Sequence, residues 1–150
     1  MNKILKTLFL CLVSLGIASC DNEVGYPDNG PQGNPEKEIE GTYTGTWTKT
    51  VSGAETGDSA TGTLTFTPEG QFITEVLASC SDLDINFSSN ANVVNYSEGY
   101  MFYNAEAKNG FGTSFDGRVI NGQATIKFTI SIKVGLKQTI YNYTFTGEKN

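Results

Sequence analysis

The stretch from Gln123 to Gly147 constrains this chain most. Ile126, Phe128, Ile130, Ile132 and Val134 stand at every second position, and Thr125, Lys127, Thr129, Ser131 and Lys133 fill the places between. A period of two puts one set on a dry face and the other on a wet face, as in a half-buried strand. After Gly135 the pattern resumes, with Tyr141, Tyr143 and Phe145 alternating with Ile140, Asn142, Thr144 and Thr146. Two such runs joined so tightly predict an antiparallel hairpin.

The same reading extends upstream. From Gly41 to Val51, threonine holds the even positions while Tyr43, Gly45 and Trp47 share the other face. Ser52 to Ser59 reads as a Gly-rich loop. Leu64 and Phe66 then alternate with Thr63, Thr65 and Thr67. Pro68-Glu69-Gly70 is expected to turn, because Pro presets φ and Gly supplies a positive one. Gln71 to Ala78 reads as a strand of ambiguous facing and Asp82 to Phe87 as a short one. Ser88 to Glu98 reads as irregular or a poor strand, and Gly99 to Ala105 as an aromatic-rich strand. Asn109-Gly110 leads into Phe111 to Ile120, and Asn121-Gly122 favours a type I′ hairpin turn. About eight short strands in series, with no helix between them, predict an all-β fold. An antiparallel up-and-down barrel hides the edges by pairing the first and last strands. A two-sheet β-sandwich is the alternative.

Composition narrows the chemistry. The 150 residues suit one domain and include no His. Ser-His-Asp triads, HExxH zinc sites and His-ligated metals are therefore excluded. The formal charge is −6. Acidic chains with few arginines do not attract nucleic acid, whose binding rests on phosphate neutralisation.

Residues 1–19 are expected to be a signal peptide. Lys3 and Lys6 precede an apolar core, Leu8 to Ile17, that is too short to span a bilayer. Removing those two lysines from the 10 basic residues leaves 8 against 16 acidic ones, net −8. The ending Ile17-Ala18-Ser19-Cys20 resembles the bacterial lipobox, which implies acylation of Cys20. Cys11 leaves with the leader, so Cys80 is the one free thiol, expected to be a buried small hydrophobe. Asp21-Asn22-Glu23 resembles the surface-export signals of Bacteroidota lipoproteins, and a solvated tether is the alternative. Residues 20–40 hold Pro27, Pro31 and Pro35 and no apolar period, which predicts a disordered tether.

Gly45-Thr46-Trp47 resembles the Gly-x-Trp signature of the calycins, the lipocalin superfamily. The whole pattern over residues 41–150, ending Phe145-Thr146-Gly147-Glu148-Lys149, is similar to the lipocalin-like and calycin-like β-barrel lipoproteins of Bacteroidota. The chain departs from true lipocalins in being short and lacking their final helix and disulfide. The resemblance and the closure together place Lys149 near Trp47, as a cation over the indole.

Candidate sites are few. Asp82-Leu83-Asp84-Ile85-Asn86 resembles the start of a calcium loop, but Phe87 and Val93 stand where an EF-hand needs Gly and Glu. The bland reading puts Asp82, Asp84 and Asn86 on a wet strand face, with Leu83, Ile85 and Phe87 inward, and no metal. Asp116, Glu98, Glu106 and Glu75 are too scattered to select a catalytic pair, so no enzyme and no cofactor are expected. Asp58-Ser59-Ala60 matches a short Bacteroidota O-glycosylation acceptor and makes Ser59 a candidate in a polar loop. Tyr43, Trp47, Phe66, Phe87, Phe128, Tyr141, Tyr143 and Phe145 are expected inward, as core filling or as the lining of a ligand pocket.

The expectation is an envelope lipoprotein, held at the outer membrane by its N-terminal lipid, and surface-exposed if Asp21-Asn22-Glu23 acts as an export signal. Its small barrel either binds a small apolar or glycan ligand, with Ser52 to Ser59 and Ser88 to Glu98 at the mouth, or is filled and meets a protein partner.

Overall fold

The computed structural model describes residues 33–96, 98–104 and 114–150. It is a closed antiparallel barrel of eight strands in sequence order. A short helix, α1 (Pro35–Glu38), precedes β1 (Gly41–Val51), β2 (Asp58–Gly70), β3 (Ile73–Cys80), β4 (Ile85–Tyr96), β5 (Gly99–Asn104), β6 (Phe115–Ile120), β7 (Gln123–Val134) and β8 (Lys137–Lys149). Closure is the pairing of β1 with β8, in register from Tyr43 opposite Lys149 to Val51 opposite Tyr141. The sandwich is excluded.

Closure depends on small residues. Gly45 faces Gly62 on one side and Gly147 on the other, and Gly147 faces Ala124. A Cβ at Gly45 would run into the Thr146 carbonyl oxygen and the Gly147 Cα; one at Gly62 would meet Trp47 Cδ1 at 2.7 Å. This row of inward positions across β2, β1, β8 and β7 leaves room for the Trp47 and Phe145 rings, whose centroids lie 4.9 Å apart. The Trp47 Nε1 donates to the Thr63 carbonyl at 3.2 Å, so the buried indole leaves no donor unpaired.

The hairpin turns follow their residues. Asn121 (φ 50°) and Gly122 (φ 77°) give the left-handed pair that a type I′ turn requires. Gly135 alone is left-handed in the Gly135-Leu136 turn, as type II′ demands. Three local expectations fail. β2 runs through Pro68-Glu69-Gly70 with a register shift there, because a bulge tolerates the missing proline N–H. The turn falls instead on Gln71 and Phe72, with Phe72 at φ 62°. Ser88 to Tyr96 is regular strand, since Ile85, Ala91 and Val93 fill inward positions and Ser89 is buried with hydrogen bonds. Residues 81–83 form a 3-10 turn ending at left-handed Asp84, although Leu83 and Ile85 still turn in and Asp82, Asp84 and Asn86 out.

The tether assignment needs correcting from Pro35 onward. Pro35, Glu36 and Ile39 are buried. The Tyr43 hydroxyl donates to the Ile39 carbonyl at 3.1 Å, and the Phe72 N–H donates to Glu36 Oε2 at 3.1 Å. A bulky residue in the left-handed region is costly, and Glu36 secures the turn that contains it. The chain therefore plugs one end of the barrel before β1 begins.

Glu36→Ala is expected to destabilise the protein by about 1–3 kcal/mol, the cost of orphaning a part-buried donor, read as a lower urea midpoint. A change below about 0.5 kcal/mol would contradict the plug. Gly45→Val should cost more than Gly122→Ala, although Gly122 has the positive φ, because its Cβ would meet backbone that cannot yield.

Candidate functional site

An up-and-down barrel sorts its connections between two ends. The Gln71-Phe72 and Asn121-Gly122 turns lie with α1 and the C-terminus at the plugged end, where the Lys149 N–H donates to the Gly122 carbonyl. The β1–β2 loop, the 81–84 turn and the β7–β8 turn lie at the other end, the rim.

All eight expected aromatics join the interior cluster, but not equally. Tyr43, Trp47, Phe66, Phe128, Tyr143 and Phe145 are buried, while Phe87 and Tyr141 are half-buried. The rings touch across the lumen. Phe87 on β4 meets Phe128 on β7 at 5.9 Å, edge to face, and Tyr143 on β8 at 5.9 Å. Phe128 and Tyr143 stack at 5.0 Å, and Phe128 meets Trp47 at 6.0 Å. Lower down, Phe66 bridges Tyr43 at 5.4 Å and Phe102 on β5 at 4.7 Å. Rings from opposite walls in contact make a filled core at these levels. Phe102 and Phe115 belong to it and were not singled out from the sequence, although Phe102 lies in the stretch read as aromatic-rich.

Of the eight expected aromatics, the two with accessible surface lie at the rim. Tyr141 and Phe87 border it, with Ile130 packed beside them. Lys49 continues the inward face of β1 beyond Trp47. Its Nζ lies 5.0 Å from the Tyr141 centroid and 5.8 Å from that of Tyr143, and donates to the Leu83 carbonyl at 3.4 Å. Sequence reasoning missed Lys49, because a lysine in an alternating strand reads as wet; its place after Tyr43, Gly45 and Trp47 was the available signal. Lys149 does not cover the indole. It pairs with Tyr43, four residues along the strand from Trp47, and its Nζ donates to the Glu38 carbonyl at 3.3 Å.

The remaining sequence candidates scatter. Ser59 lies in β2 rather than a loop, exposed, its hydroxyl 2.9 Å from that of Thr48. The mouth expected from Ser88 to Glu98 is β4 for most of its length. Cys80 is buried, with its thiol donating to the Thr61 carbonyl at 3.4 Å. Cys20 lies outside the described residues, as do Glu106 and the Asn109-Gly110 turn. Among the described residues, no group of three or more Cys, Asp or Glu is placed to hold a metal ion.

Burial raises the Tyr143 pKa above its ordinary value, with the neighbouring Tyr141 and Asp84 adding to the rise; burial alone raises Tyr43. In the unfolded chain both phenols stay neutral below about pH 10. Their contribution to stability is therefore intact below that pH and lost as pH rises through the raised folded values. Tyrosine absorbance near 295 nm should titrate in two phases, Tyr43 and Tyr143 last. Tyr143→Phe should remove part of the alkaline loss of stability, and an unchanged alkaline profile would contradict the buried setting.

Comparison with protein-family models, with curated proteins and with solved structures finds no match. What the fold itself defines is a small eight-stranded up-and-down barrel, plugged at one end and lined with half-exposed rings at the other.

Proposed function

We propose that this chain is a non-catalytic, lipid-anchored binding protein of the cell envelope. Its recognition surface is the rim, which takes a small apolar or sugar-like molecule against Phe87 and Tyr141. One observation carries the reading: the half-buried rings of Phe87 and Tyr141 and the cation at Lys49 gather at one end, opposite the end where the N-terminal segment enters. Rings offer flat apolar surface to a sugar face or an alkyl chain, and Lys49 can meet a polar or anionic substituent. A bacterial outer-membrane location rests on the lipobox-like Ile17 to Cys20 and the acidic residues after it.

The packed interior favours a second reading, a filled barrel that acts only through a protein partner. A titration separates the two. Lipids, steroids and oligosaccharides are added to the protein, followed by Trp47 emission and calorimetry. Trp47 touches Phe128, which touches Phe87, so occupation of the rim reaches the reporter through two ring contacts. The expected affinity is micromolar or weaker, and Tyr141→Ala should lower it about 3–10-fold, the worth of one aromatic contact. No shift and no heat at millimolar ligand would leave the filled-barrel reading standing.

The anchor has its own test. Metabolic labelling with an alkyne fatty acid should mark the wild type and not Cys20→Ala, and the labelled protein should resist a high-salt wash of membranes. An unlabelled wild type would contradict acylation.

A further inference from the structure

Among the described residues, the β7–β8 hairpin outreaches the barrel: β6 pairs with β7 only up to Lys127, and β1 pairs with β8 only up to Tyr141. Beyond those rows, residues 131–134 and 137–140 pair with each other. The three most exposed large apolar side chains among the described residues lie on this tip, Leu136 at 102 %, Val134 at 75 % and Ile132 at 47 %; Ile140, also on it, is less exposed at 38 %. By strand alternation, Ile132 and Val134 continue the lumen-facing side of β7, Ile140 lies on the opposite side of the hairpin, and Leu136 forms the apex. Lys133 and Lys137 flank that apex. The whole stretch from Gln123 to Gly147 holds three lysines and no Asp or Glu, in a chain of net charge −6.

We propose that the hairpin tip is a lipid-contacting element, inserting Val134, Leu136 and their apolar neighbours shallowly into an anionic bilayer surface. A protein partner docked on one face would leave the other face's apolar residues wet, whereas a bilayer receives a protruding tip from both sides. The lysines then sit at headgroup depth, where anionic lipids attract them. The basic tip of an acidic protein also sets the orientation, since the acidic remainder is repelled from the same surface. The contact stands apart from acylation: α1 and the tip lie at opposite ends of the barrel.

The test uses the full chain carrying Cys11→Ser and Cys20→Ser, with buried Cys80 retained. An environment-sensitive fluorophore is placed at Gln138→Cys on the hairpin, or at Gln71→Cys at the plugged end. Both sites are exposed. Vesicles contain brominated lipid in either phosphatidylglycerol or neutral phosphatidylcholine. Whatever brings the chain to the vesicle, quenching reports which end meets lipid. Quenching at the Gln138 site is expected to exceed that at Gln71 at least threefold. It should be stronger with phosphatidylglycerol at low salt, fall at least threefold with Val134→Asp and Leu136→Asp together, and lose its anionic preference with Lys133→Gln and Lys137→Gln. Circular dichroism confirms that each variant keeps the barrel. Equal quenching at the two ends, equal quenching by the two lipids, or indifference to the paired Asp substitutions would each overturn the proposal.

Discussion

The structure depends on how closely β1 and β8 approach where Gly45 faces Gly147. A side chain at either position would strike the opposite backbone, so the seam closes only with glycine there. Gly62 and Ala124 extend the row and keep it shallow enough for Trp47 and Phe145 to lie against it. Trp47, packed against Phe145, supports Phe128, which supports Tyr143 and Phe87. The aromatic column thus rises from the glycine row to the rim, and the position of Phe87 traces back to the seam.

A filled lumen decides where function can reside. Rings from β4 and β7 touch across the interior, and α1 occupies the lower opening through Glu36 and Ile39. The proposed recognition surfaces, the rim with Lys49 and Tyr141 and the hairpin that rises beyond it, both lie outside that packed interior. Small barrels with large inward side chains fill themselves, and an interior ligand would have to displace rings whose burial stabilises the fold.

Much of this was legible in the residues. Strict alternation from Gln123 to Gly147 specified the longest hairpin, because a one-residue slip would turn Ile126, Phe128 and Phe145 into water. Asn121-Gly122 specified the turn from β6 into β7 through two left-handed residues. The inward aromatic set was legible for the same reason as the strands. Other features were hidden where tertiary contacts override local preference. Ser88 to Asn95 is polar and weak in strand propensity, yet neighbours on both sides hold it extended. Phe72 takes a backbone shape no propensity scale assigns to it, made tolerable by a carboxylate 36 residues upstream. α1 carries a linker's composition, and its burial arises from the barrel it plugs. Lys49 was passed over because alternation reports facing while charge suggests solvent, and at a rim both are satisfied.

The central claim is that the barrel interior is a solid aromatic core rather than a vacant pocket. The most direct measurement is a nuclear Overhauser spectrum of the protein selectively labelled on phenylalanine rings, with Phe87 and Phe128 assigned by substitution. The two rings come from opposite walls and lie 5.9 Å apart, edge to face. A cross-peak between their ring protons is expected in the ligand-free protein. Its absence, with each ring showing Overhauser peaks to water instead, would mean that the lumen is open and solvated.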